Sequence, residues 1–469
     1  MKPLITIVAI ATAIFMVNLD ASIVNVALPT LCEDFHTGTR EAADVVMFYL
    51  VALCASLLIF GRLGDLLGKR AIFLAGYVVF TVGSVACGLA PGFGALLAGR
   101  LIQGLGGAML LATSMALVVE NLPPDRTGRA FGLITVFSGI GYSLGAPLGG
   151  VITEFLSWRW IFLINLLPGI AGAWLSGRTL TRKKSAGTSP KDFDAAGAVL
   201  SVIALVAFVF GLNAMKADSV SSVRFLVLAG TFLAALAVFL FREHRFPQPL
   251  VDLRLFKDPR LVLGMASSFL VITLLAGLVF LLPFFLELAM RFTTEKSGLL
   301  IGIFPLITLL AAPLAGWLSD RFGSPPVCAT GTVLVLAAML VLLQLAPGTG
   351  TPFLVLSLVF YGFGHTTFTA SNANLVMKRA PPGKEGVTSS LYTEATFMAS
   401  AIGVSLFEWL FSVKTAGLAG ADPAAQQATV AGGFHFAVGV AGVLAALALA
   451  ASLAVVVATP RRDDAPPLE

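Results

Sequence analysis

The chain has 469 residues, of which 57% are hydrophobic and 12% are charged, with a formal net charge of +5. Soluble domains carry about 25% charged residues, so this composition excludes an ordinary soluble protein. The basic residues lie in short segments between long apolar stretches, an arrangement that does not indicate nucleic-acid binding. The four cysteines have no paired spacing, so neither a disulfide framework nor a metal site is implied.

Fourteen long apolar stretches account for almost the whole chain. An apolar run of roughly 18 or more residues can cross about 30 Å of hydrocarbon as a helix. The first stretch lacks a small-residue cleavage site and is therefore predicted to be an uncleaved span. The predicted spans cover residues 4–28, 44–63, 71–90, 95–120, 130–153, 159–177, 194–215, 223–241, 261–288, 298–318, 327–346, 352–377, 387–413 and 433–458. The predicted fold class is an all-α polytopic membrane protein with 14 transmembrane helices.

The distribution of basic residues predicts the orientation. With the N-terminus placed in the cytoplasm, 22 of the 30 Lys and Arg residues fall on the cytoplasmic side, seven fall outside, and Arg100 lies within a span. This excess satisfies the positive-inside rule. Both termini are therefore predicted to be cytoplasmic.

Reporter fusions test this orientation. A reporter that is active only in the cytoplasm is expected to give full signal at Ser185, in the first long linker, because that linker is rich in Lys and Arg. It is expected to give background signal at Gly420, between the last two spans, while a fusion at Glu469 serves as the cytoplasmic control. Signal from the same face at Ser185 and Gly420 would contradict the fourteen-span arrangement.

The pattern G-x-x-x-D-x-x-G occurs once in each half, at residues 61–68 and 316–323, on the predicted cytoplasmic face. Removing spans seven and eight leaves six plus six helices, with one copy of the pattern in each set. Parallel repeats of this kind occur in transporters whose substrate site lies between the halves near the membrane midplane. The predicted organisation is two pseudo-symmetric six-helix bundles, 1–178 and 261–469, with two linkers and two inserted helices in 179–260.

Two ionisable residues of the first half, Asp20 in span one and Arg100 in span four, lie at similar predicted depths. A charge inside a spanning helix costs about 2.5–3.5 kcal/mol by insertion scales, which makes such residues functional candidates. Gln103 shares the face of Arg100, three residues later. A neighbouring Arg100 would keep Asp20 ionised, whereas separation would favour the protonated acid. Proton coupling, a fixed ion pair that holds the two helices together, and no contact at all are the three alternatives.

Further polar residues lie in spans of the second half. One face of span twelve carries four of them, at spacings of four, four and three: Tyr361, His365, Thr369 and Asn372. With Gln103 they are candidates for a substrate cavity, and a packing role for His365 is the alternative. Glu394 and Glu408 share a face of span thirteen; Glu394 is a proton-coupling candidate and Glu408 a cavity candidate. Glu287, near the outer end of span nine, is also a cavity candidate, unless it only reaches the aqueous rim.

Several of these stretches together resemble the major facilitator superfamily, specifically its fourteen-span drug:proton antiporter family. Besides the two loops, the resemblance rests on L-D-A-S-I-V-N-V-A-L-P at 19–29, R-L-I-Q-G-L-G-G-A at 100–108, G-Y-S-L-G-A-P-L-G-G at 141–150 and W-R-W-I-F-L-I-N-L-L-P at 158–168. It covers essentially the whole chain. It implies a proton-linked role for Asp20 and Arg100.

The resemblance also implies that the repeated loops lock the cytoplasmic side closed and release it during transport. The gating candidates are Gly61, Asp65, Gly68, Lys69, Arg70, Asp320 and Arg321. A tight turn with basic anchors is the alternative. The candidate residues of the antiporter helix, span five, are Gly141, Gly145, Pro147, Gly149 and Gly150. Three of these glycines repeat every four residues and predict close helix packing, whereas Pro147 stands one place later than in the family pattern, which moves the helix kink.

The sequence carries no phosphate-binding loop, nucleophile triad or metal-ligand cluster, so an ion gradient is expected to drive transport. The predicted function is a non-enzymatic, proton-coupled antiporter that exports small lipophilic or cationic compounds, as in multidrug efflux. Its expected partners are substrate, protons and membrane lipids, with no cofactor and no nucleic acid, in a monomer of the bacterial cytoplasmic (inner) membrane. The alternatives are a narrow-range metabolite exporter, a proton-coupled importer and a receptor that binds ligand without moving it.

Overall fold

The computed structural model describes residues 2–122, 124–181, 194–218, 223–245, 256–345, 351–379, 385–415 and 423–458. These residues form α-helices and short connections, with no β-strand among them. Both proposed fusion sites, Ser185 and Gly420, lie outside the described residues. The all-helical fold predicted from the apolar stretches is confirmed.

The first nine helices occupy the part of the chain before residue 250. They are α1 Lys2–Phe35, α2 Thr39–Leu67, α3 Lys69–Gly88, α4 Phe93–Asn121, α5 Pro124–Phe155, α6 Arg159–Leu163, α7 Leu166–Thr179, α8 Ala195–Asp218 and α9 Val223–Arg245. The remaining helices follow a short turn at residues 256–257. They are α10 Pro259–Phe284, α11 Thr294–Ile301, α12 Ile303–Phe322, α13 Ser324–Leu342, α14 Thr351–Lys378, α15 Glu385–Thr415 and α16 Pro423–Ala458, with a π-helical turn, Phe285–Ala289, after α10.

Within the described residues, 12 helical segments are long and apolar enough to cross a membrane. A shorter apolar helix, Ala196–Gly211, falls within the predicted span seven. α2 covers the predicted span two. The protein is therefore an integral membrane protein by helix length and composition, and the exact number of fourteen spans stays a prediction.

Two predicted spans differ from continuous helices. Span six is broken between α6 and α7, and span ten is broken at Gly302 between α11 and α12. Two prolines account for the breaks, because each lacks the N–H that would bond to the carbonyl four residues earlier. Pro168 removes the bond to Ile164, and Pro305 removes the bond to Ile301.

The described helices fall into two compact units, the first of which comprises Met1–Leu250 and Thr293–Leu299. In this unit α1 packs along α5, α4 packs between α2 and α3, and α8 pairs with α9. Glycines permit the closest approaches. A Cβ added at Gly141 would lie 2.6 Å from Phe15 O, and one added at Gly149 would lie 2.7 Å from Ile23 O. The glycine ridge of α5 is therefore the surface that packs against α1.

Gly145, in the middle of this ridge, has no room for an added methyl group. Its Cβ would meet the Ser22 side chain and lie 2.8 Å from Ile23 N. Gly145→Ala is expected to destabilise the protein by about 1–3 kcal/mol, because α1 and α5 must separate. Thermal unfolding in detergent measures the effect, with Gly230→Ala as the control because its Cβ would meet nothing within 4 Å. Equal unfolding temperatures for the two variants would contradict this packing argument.

The second unit comprises Val251–Phe292 and Leu300–Glu469. In it α10 packs against α15 and α16, and α14 packs against α12 and α13. Glycine again permits close contacts: a Cβ at Gly403 would meet Thr273 O, and one at Gly331 would lie 2.5 Å from Phe368 N. The predicted division at residues 178 and 260 stays a prediction.

Candidate functional site

The first unit holds a buried ion pair between α1 and α4. Arg100 Nη1 donates to Asp20 Oδ2 at 2.6 Å. The Asp20 side chain is 0% exposed and the Arg100 side chain 1% exposed. The similar depths predicted for the two residues thus correspond to direct contact, and the no-contact alternative does not describe this structure.

Amide and carbonyl groups complete the hydrogen bonding of the pair. Gln103 Nε2 donates to Asp20 Oδ1 at 2.7 Å, while Gln103 Oε1 accepts from Arg100 Nη1 at 2.6 Å. The same Nε2 also donates to Ser84 Oγ of α3 at 2.8 Å. Arg100 Nε donates to Val45 O of α2 at 3.0 Å. Gln103 therefore bridges acid and base, and two neighbouring helices, α2 and α3, hold the pair in place. The sequence predicted the face of Gln103 but assigned it to the substrate cavity; its observed contacts are with Asp20 and Arg100.

Aromatic rings enclose the guanidinium group. The Arg100 Cζ atom lies 4.2 Å from the centroid of the Tyr49 ring and 5.8 Å from that of Phe162. A cation over an aromatic face is attracted by the quadrupole of the ring. Gln103 Oε1, which accepts from Arg100 Nη1, also lies 3.9 Å from Cys87 Sγ. The positive charge of Arg100 is therefore stabilised by more than Asp20 alone.

Asn165 is a member of the site that sequence reasoning did not identify. Its Nδ2 lies 3.4 Å from Asp20 Oδ1, and the residue is fully buried. It stands at the break between α6 and α7 that Pro168 produces. The signal in the sequence was the asparagine three places before this proline, but the partner on α1 could not be read from helical periodicity.

The contacts of Asp20 are all with hydrogen-bond donors. Both carboxylate oxygens accept hydrogen bonds, and every partner is an N–H donor: Arg100, Gln103 and Asn165. Donors stabilise the ionised form of a carboxylate, and a neighbouring positive charge does the same. These partners match the hydrogen-bonding capacity of a carboxylate, which only accepts.

In the second unit, the four predicted cavity residues of α14 do not share one environment: some contact α12 and one contacts α10. The Phe304 ring of α12 stacks on Tyr361, with centroids 5.0 Å apart, and meets the His365 ring at 5.6 Å. Neither ring nitrogen of His365 has a hydrogen-bond partner among the described residues. Thr369 donates its hydroxyl proton to the backbone oxygen of His365 at 2.8 Å. Asn372 instead faces α10 and donates to Gly264 O at 3.0 Å.

An apolar cavity lies beside the aromatic pair of the second unit. Phe304 and Tyr361 line it together with leucine side chains of α10 and with Phe434 of α16. His365 does not line this cavity.

The three candidate glutamates have different environments. Glu287 lies in the π-helical turn, whose Phe285 ring stacks on Phe434 at 4.1 Å. Such turns occur frequently at functional sites. Glu394 is partly buried on α15, and Glu408 on the same helix is 1% exposed. Glu287 is partly exposed, so the cavity role and placement at the aqueous rim both stay predictions.

The two repeated loops share one backbone feature. Gly68, between α2 and α3, has φ 95°, and Gly323, between α12 and α13, has φ 82°. These positive angles favour glycine, which explains the last position of the pattern. Gly61, at its first position, has more room, because an added Cβ would lie 4.0 Å from Ala112 Cβ.

The charged residues of the loops differ in their contacts. Lys69 Nζ pairs with Glu120 Oε1 of α4 at 2.6 Å, and Arg70 Nη2 donates to Gly177 O of α7 at 2.7 Å. The side chain of Asp65 lies outside the described side chains. Asp320 is exposed, and Arg321 lies over the Trp317 ring at 5.2 Å. The first loop is thus tied to the ends of α4 and α7, while gating stays a prediction for both.

The candidate residues of the antiporter helix include one that does not face α1. A Cβ at Gly150 would lie 2.7 Å from Thr294 O, in the Thr293–Leu299 segment of the first unit. In the same contact Thr294 N donates to Glu154 Oε2 at 3.1 Å. Pro147 lies inside α5, which continues unbroken to Phe155.

Comparison with known proteins identifies the family. The family model described as Major Facilitator Superfamily matches residues 10–405. The chain belongs to the major facilitator superfamily. The family resemblance stated from the motifs is therefore confirmed, and the protein belongs to a family of transporters, which is not an enzyme class.

Relatives and solved structures agree with this assignment. The riboflavin transporter RibZ of Clostridioides difficile (strain 630) is 29% identical over 408 residues, which are 87% of this chain and 88% of RibZ. The multidrug resistance protein Stp of Mycobacterium tuberculosis (strain CDC 1551 / Oshkosh) is 30% identical over 404 residues, 86% of this chain and 75% of Stp. A bacterial homologue of the human lysosomal transporter Spinster has a TM-score of 0.70 at 14% identity over 98% of each chain. That structural likeness shows the fold alone.

Proposed function

We propose that this superfamily member is a proton-coupled antiporter that exports small lipophilic or cationic compounds by alternating access. The observation that carries the proposal is the fully buried Asp20–Arg100 pair, whose partners come from two different helices. An acid in a spanning helix is a functional candidate by default. Similarity to the multidrug resistance protein Stp supports drug-like compounds as substrates.

The geometry supports coupling because the charge state of Asp20 depends on its neighbours. Asp20 lies on α1, and its strongest donors, Arg100 and Gln103, both lie on α4. A movement of α1 relative to α4 would lengthen both hydrogen bonds together. Asp20 without them would take a proton from water, because burial favours the neutral acid. Re-formation of the pair would expel the proton, so a cycle between the two arrangements couples helix movement to proton transfer.

Features of the second unit support the substrate class. The Phe304 and Tyr361 rings line an apolar cavity of about 20 Å³ in this structure, and its aromatic and aliphatic lining matches the surface of a lipophilic compound. Glu394 supplies an acid within a spanning segment, which suits a cation. In this proposal protons are the coupling ion, no cofactor takes part, and the monomer works in the bacterial cytoplasmic membrane with both termini inside.

A narrower substrate range is a second candidate function. The specific observation in its favour is the 29% identity to the riboflavin transporter RibZ over 87% of the chain. A carrier for one metabolite would use the same proton chemistry at Asp20. The two candidates differ only in how many compounds the protein moves.

Flux in proteoliposomes tests both candidates. Purified protein is reconstituted, a pH gradient is imposed, and uptake of cationic, neutral and anionic compounds and of riboflavin is followed. The expected result is gradient-dependent flux of several cationic and neutral lipophilic compounds, which a protonophore abolishes and protein-free liposomes lack. Flux of one compound only would support the narrow range. Saturable binding without flux would show a receptor and refute the transport proposal.

Glu394→Gln tests the role of this acid in substrate choice. The variant is expected to lower proton-driven flux of cations by about tenfold or more, because a favourable charge interaction of roughly 1.4 kcal/mol is lost. Flux of neutral compounds should change little. Initial rates in the same proteoliposomes measure both, with Glu33→Gln as the control because Glu33 is exposed at the end of α1. Equal losses for cations and neutral compounds would remove Glu394 from substrate selection.

A further inference from the structure

Asn165 stands immediately before α7, at a position where asparagine commonly caps a helix with its side chain. Here the side chain makes no capping hydrogen bond to α7, and only the backbone oxygen of Asn165 accepts from Gly169 N, at 2.9 Å. The amide is directed to Asp20 instead, with Nδ2 3.4 Å from Oδ1. The side chain of Asn165 therefore serves the ion pair rather than the helix.

The amide of Asn165 is incompletely bonded. The residue is 0% exposed, yet its Oδ1 has no hydrogen-bond partner among the described residues. Buried polar atoms almost always have a partner, so an exception requires an explanation. The 3.4 Å contact on the other side of the amide is longer than an ordinary N–H···O hydrogen bond. The amide is thus held weakly by ionised Asp20 and carries a free acceptor.

Protonation of Asp20 would require the site to supply a hydrogen-bond acceptor in place of a donor. The neutral acid carries an O–H donor and needs an acceptor, whereas the observed partners of the carboxylate are all donors. Gln103 Oε1 already accepts from Arg100 Nη1 at 2.6 Å. Ser84 Oγ already accepts from Gln103 Nε2 at 2.8 Å. Among the hydrogen-bond partners of Asp20, Asn165 is the one whose acceptor, Oδ1, has no bond to lose.

We propose that Asn165 is a positioning residue for proton coupling, whose amide turns so that Oδ1 accepts the O–H of protonated Asp20. A hydronium ion gives one proton to an Asp20 oxygen and leaves as water, and no other covalent bond forms or breaks. The same side chain thus donates to the ionised acid and accepts from the neutral acid. This inference rests on the proposed function, in which Asp20 takes up and releases the proton.

The other ionisable groups around the site are accounted for. Among the described residues, the ionisable groups that face Asp20 and the Asn165 amide are Tyr49 of α2, Cys87 of α3 and Arg100 of α4. The charged ends of neighbouring helices have partners elsewhere. Arg159 of α6 pairs with Asp34 at 3.2 Å, and Glu154 of α5 accepts from Thr294 N. The proton equilibrium of Asp20 is therefore set within the group that includes Asn165.

The test is an infrared titration of the full-length protein in detergent. The carbonyl stretch of protonated Asp20 is isolated as the band that Asp20→Asn removes, and its intensity is followed with pH. Asn165→Leu keeps the size of the side chain and removes its acceptor. Asn165→Asp keeps the size and adds a negative charge. Asn165→Ala also removes the acceptor and is used if the leucine variant does not fold.

Opposite shifts are expected for the two isosteric variants. Asn165→Leu should lower the titration midpoint of Asp20 by about one pH unit, because the neutral acid loses a hydrogen bond. Its carbonyl band should also move, because the hydrogen bonding of the acid changes. Asn165→Asp should raise the midpoint, because two adjacent carboxylates resist ionising together. Asn374→Leu, which removes a partly buried amide of the second unit, should change neither quantity.

The outcomes separate this inference from the proposed function. An unchanged midpoint and band in Asn165→Leu, or shifts of the same sign in both variants, would overturn the role of Asn165 while Asp20 still titrates. Absence of any band that Asp20→Asn removes across the pH range of transport would instead refute proton uptake by Asp20, and the proposed function with it.

Discussion

Asp20→Asn is expected to abolish proton-driven transport of every substrate while the protein still folds and inserts. Asparagine keeps the shape of the side chain and one acceptor for Arg100 Nη1, but it cannot exchange a proton. Substrate-induced proton release in detergent is the direct measurement, and it should fall from the wild-type level to zero. Gradient-driven flux in proteoliposomes should fall to the protein-free background.

Asp34→Asn is the matched control for this substitution. Asp34 lies near the end of the same helix, with a side chain that is 45% exposed and paired with Arg159. An exposed pair contributes little and is screened by salt, so the variant should release protons as the wild type does. If Asp20→Asn released as many protons as the wild type, Asp20 would not be the coupling site and the mechanism would be wrong.

Arg100→Ala is expected to reduce gradient-driven flux to background for a different reason. Asp20 would lose its positive partner and stay protonated in a dry interior, so it could bind a proton but not release it. Removal of one partner of a buried pair also destabilises a protein by about 3–5 kcal/mol. Arg100→Lys is the matched comparison, because it keeps the charge but loses the fixed geometry of the guanidinium group. It should retain part of the flux.

A double-mutant cycle distinguishes direct pairing from two independent effects. Asp20→Asn and Arg100→Ala are combined, and thermal unfolding of the single and double variants is compared in detergent. The double variant should lose much less stability than the two single losses added together, because the second substitution removes a charge that the first left unpaired. Additive losses would show that the 2.6 Å contact does not govern the stability of the site.

The sequence allowed the ion pair to be predicted because both charges lie within apolar stretches at similar depths. Gln103 could be placed beside Arg100 by helical spacing. Tyr49 and Asn165 were not found, since they reach the pair from α2 and from the α6–α7 break. Helical periodicity describes contacts within one helix, whereas these contacts depend on how separate helices pack. Cys87 was noted only as an unpaired cysteine.

The helical fold was predictable from the length of the apolar stretches. The breaks in spans six and ten were not inferred, although the prolines that cause them are visible in the sequence. Pro168 and Pro305 each remove a hydrogen bond four residues earlier, which places both breaks where the structure has them. The glycine ridge of α5 was predictable from its four-residue spacing, but its partner helix was not. For His365, the sequence located the residue on a face of α14 but could not show that its ring meets Phe304.

The aromatic rings around Arg100 affect the net charge that the protein moves across the membrane in each transport cycle. Arginine stays charged in proteins, and here the Tyr49 ring and Gln103 hold that charge whether or not Asp20 is ionised. The cluster is therefore neutral when Asp20 is ionised and carries one positive charge when Asp20 is protonated. Exchange of one proton for a monovalent cation would then move no net charge and respond to the pH difference alone. Exchange of one proton for a neutral compound would move one charge, so the membrane voltage, worth about 2.3 kcal/mol per 100 mV, would add to the pH difference in expelling such a compound.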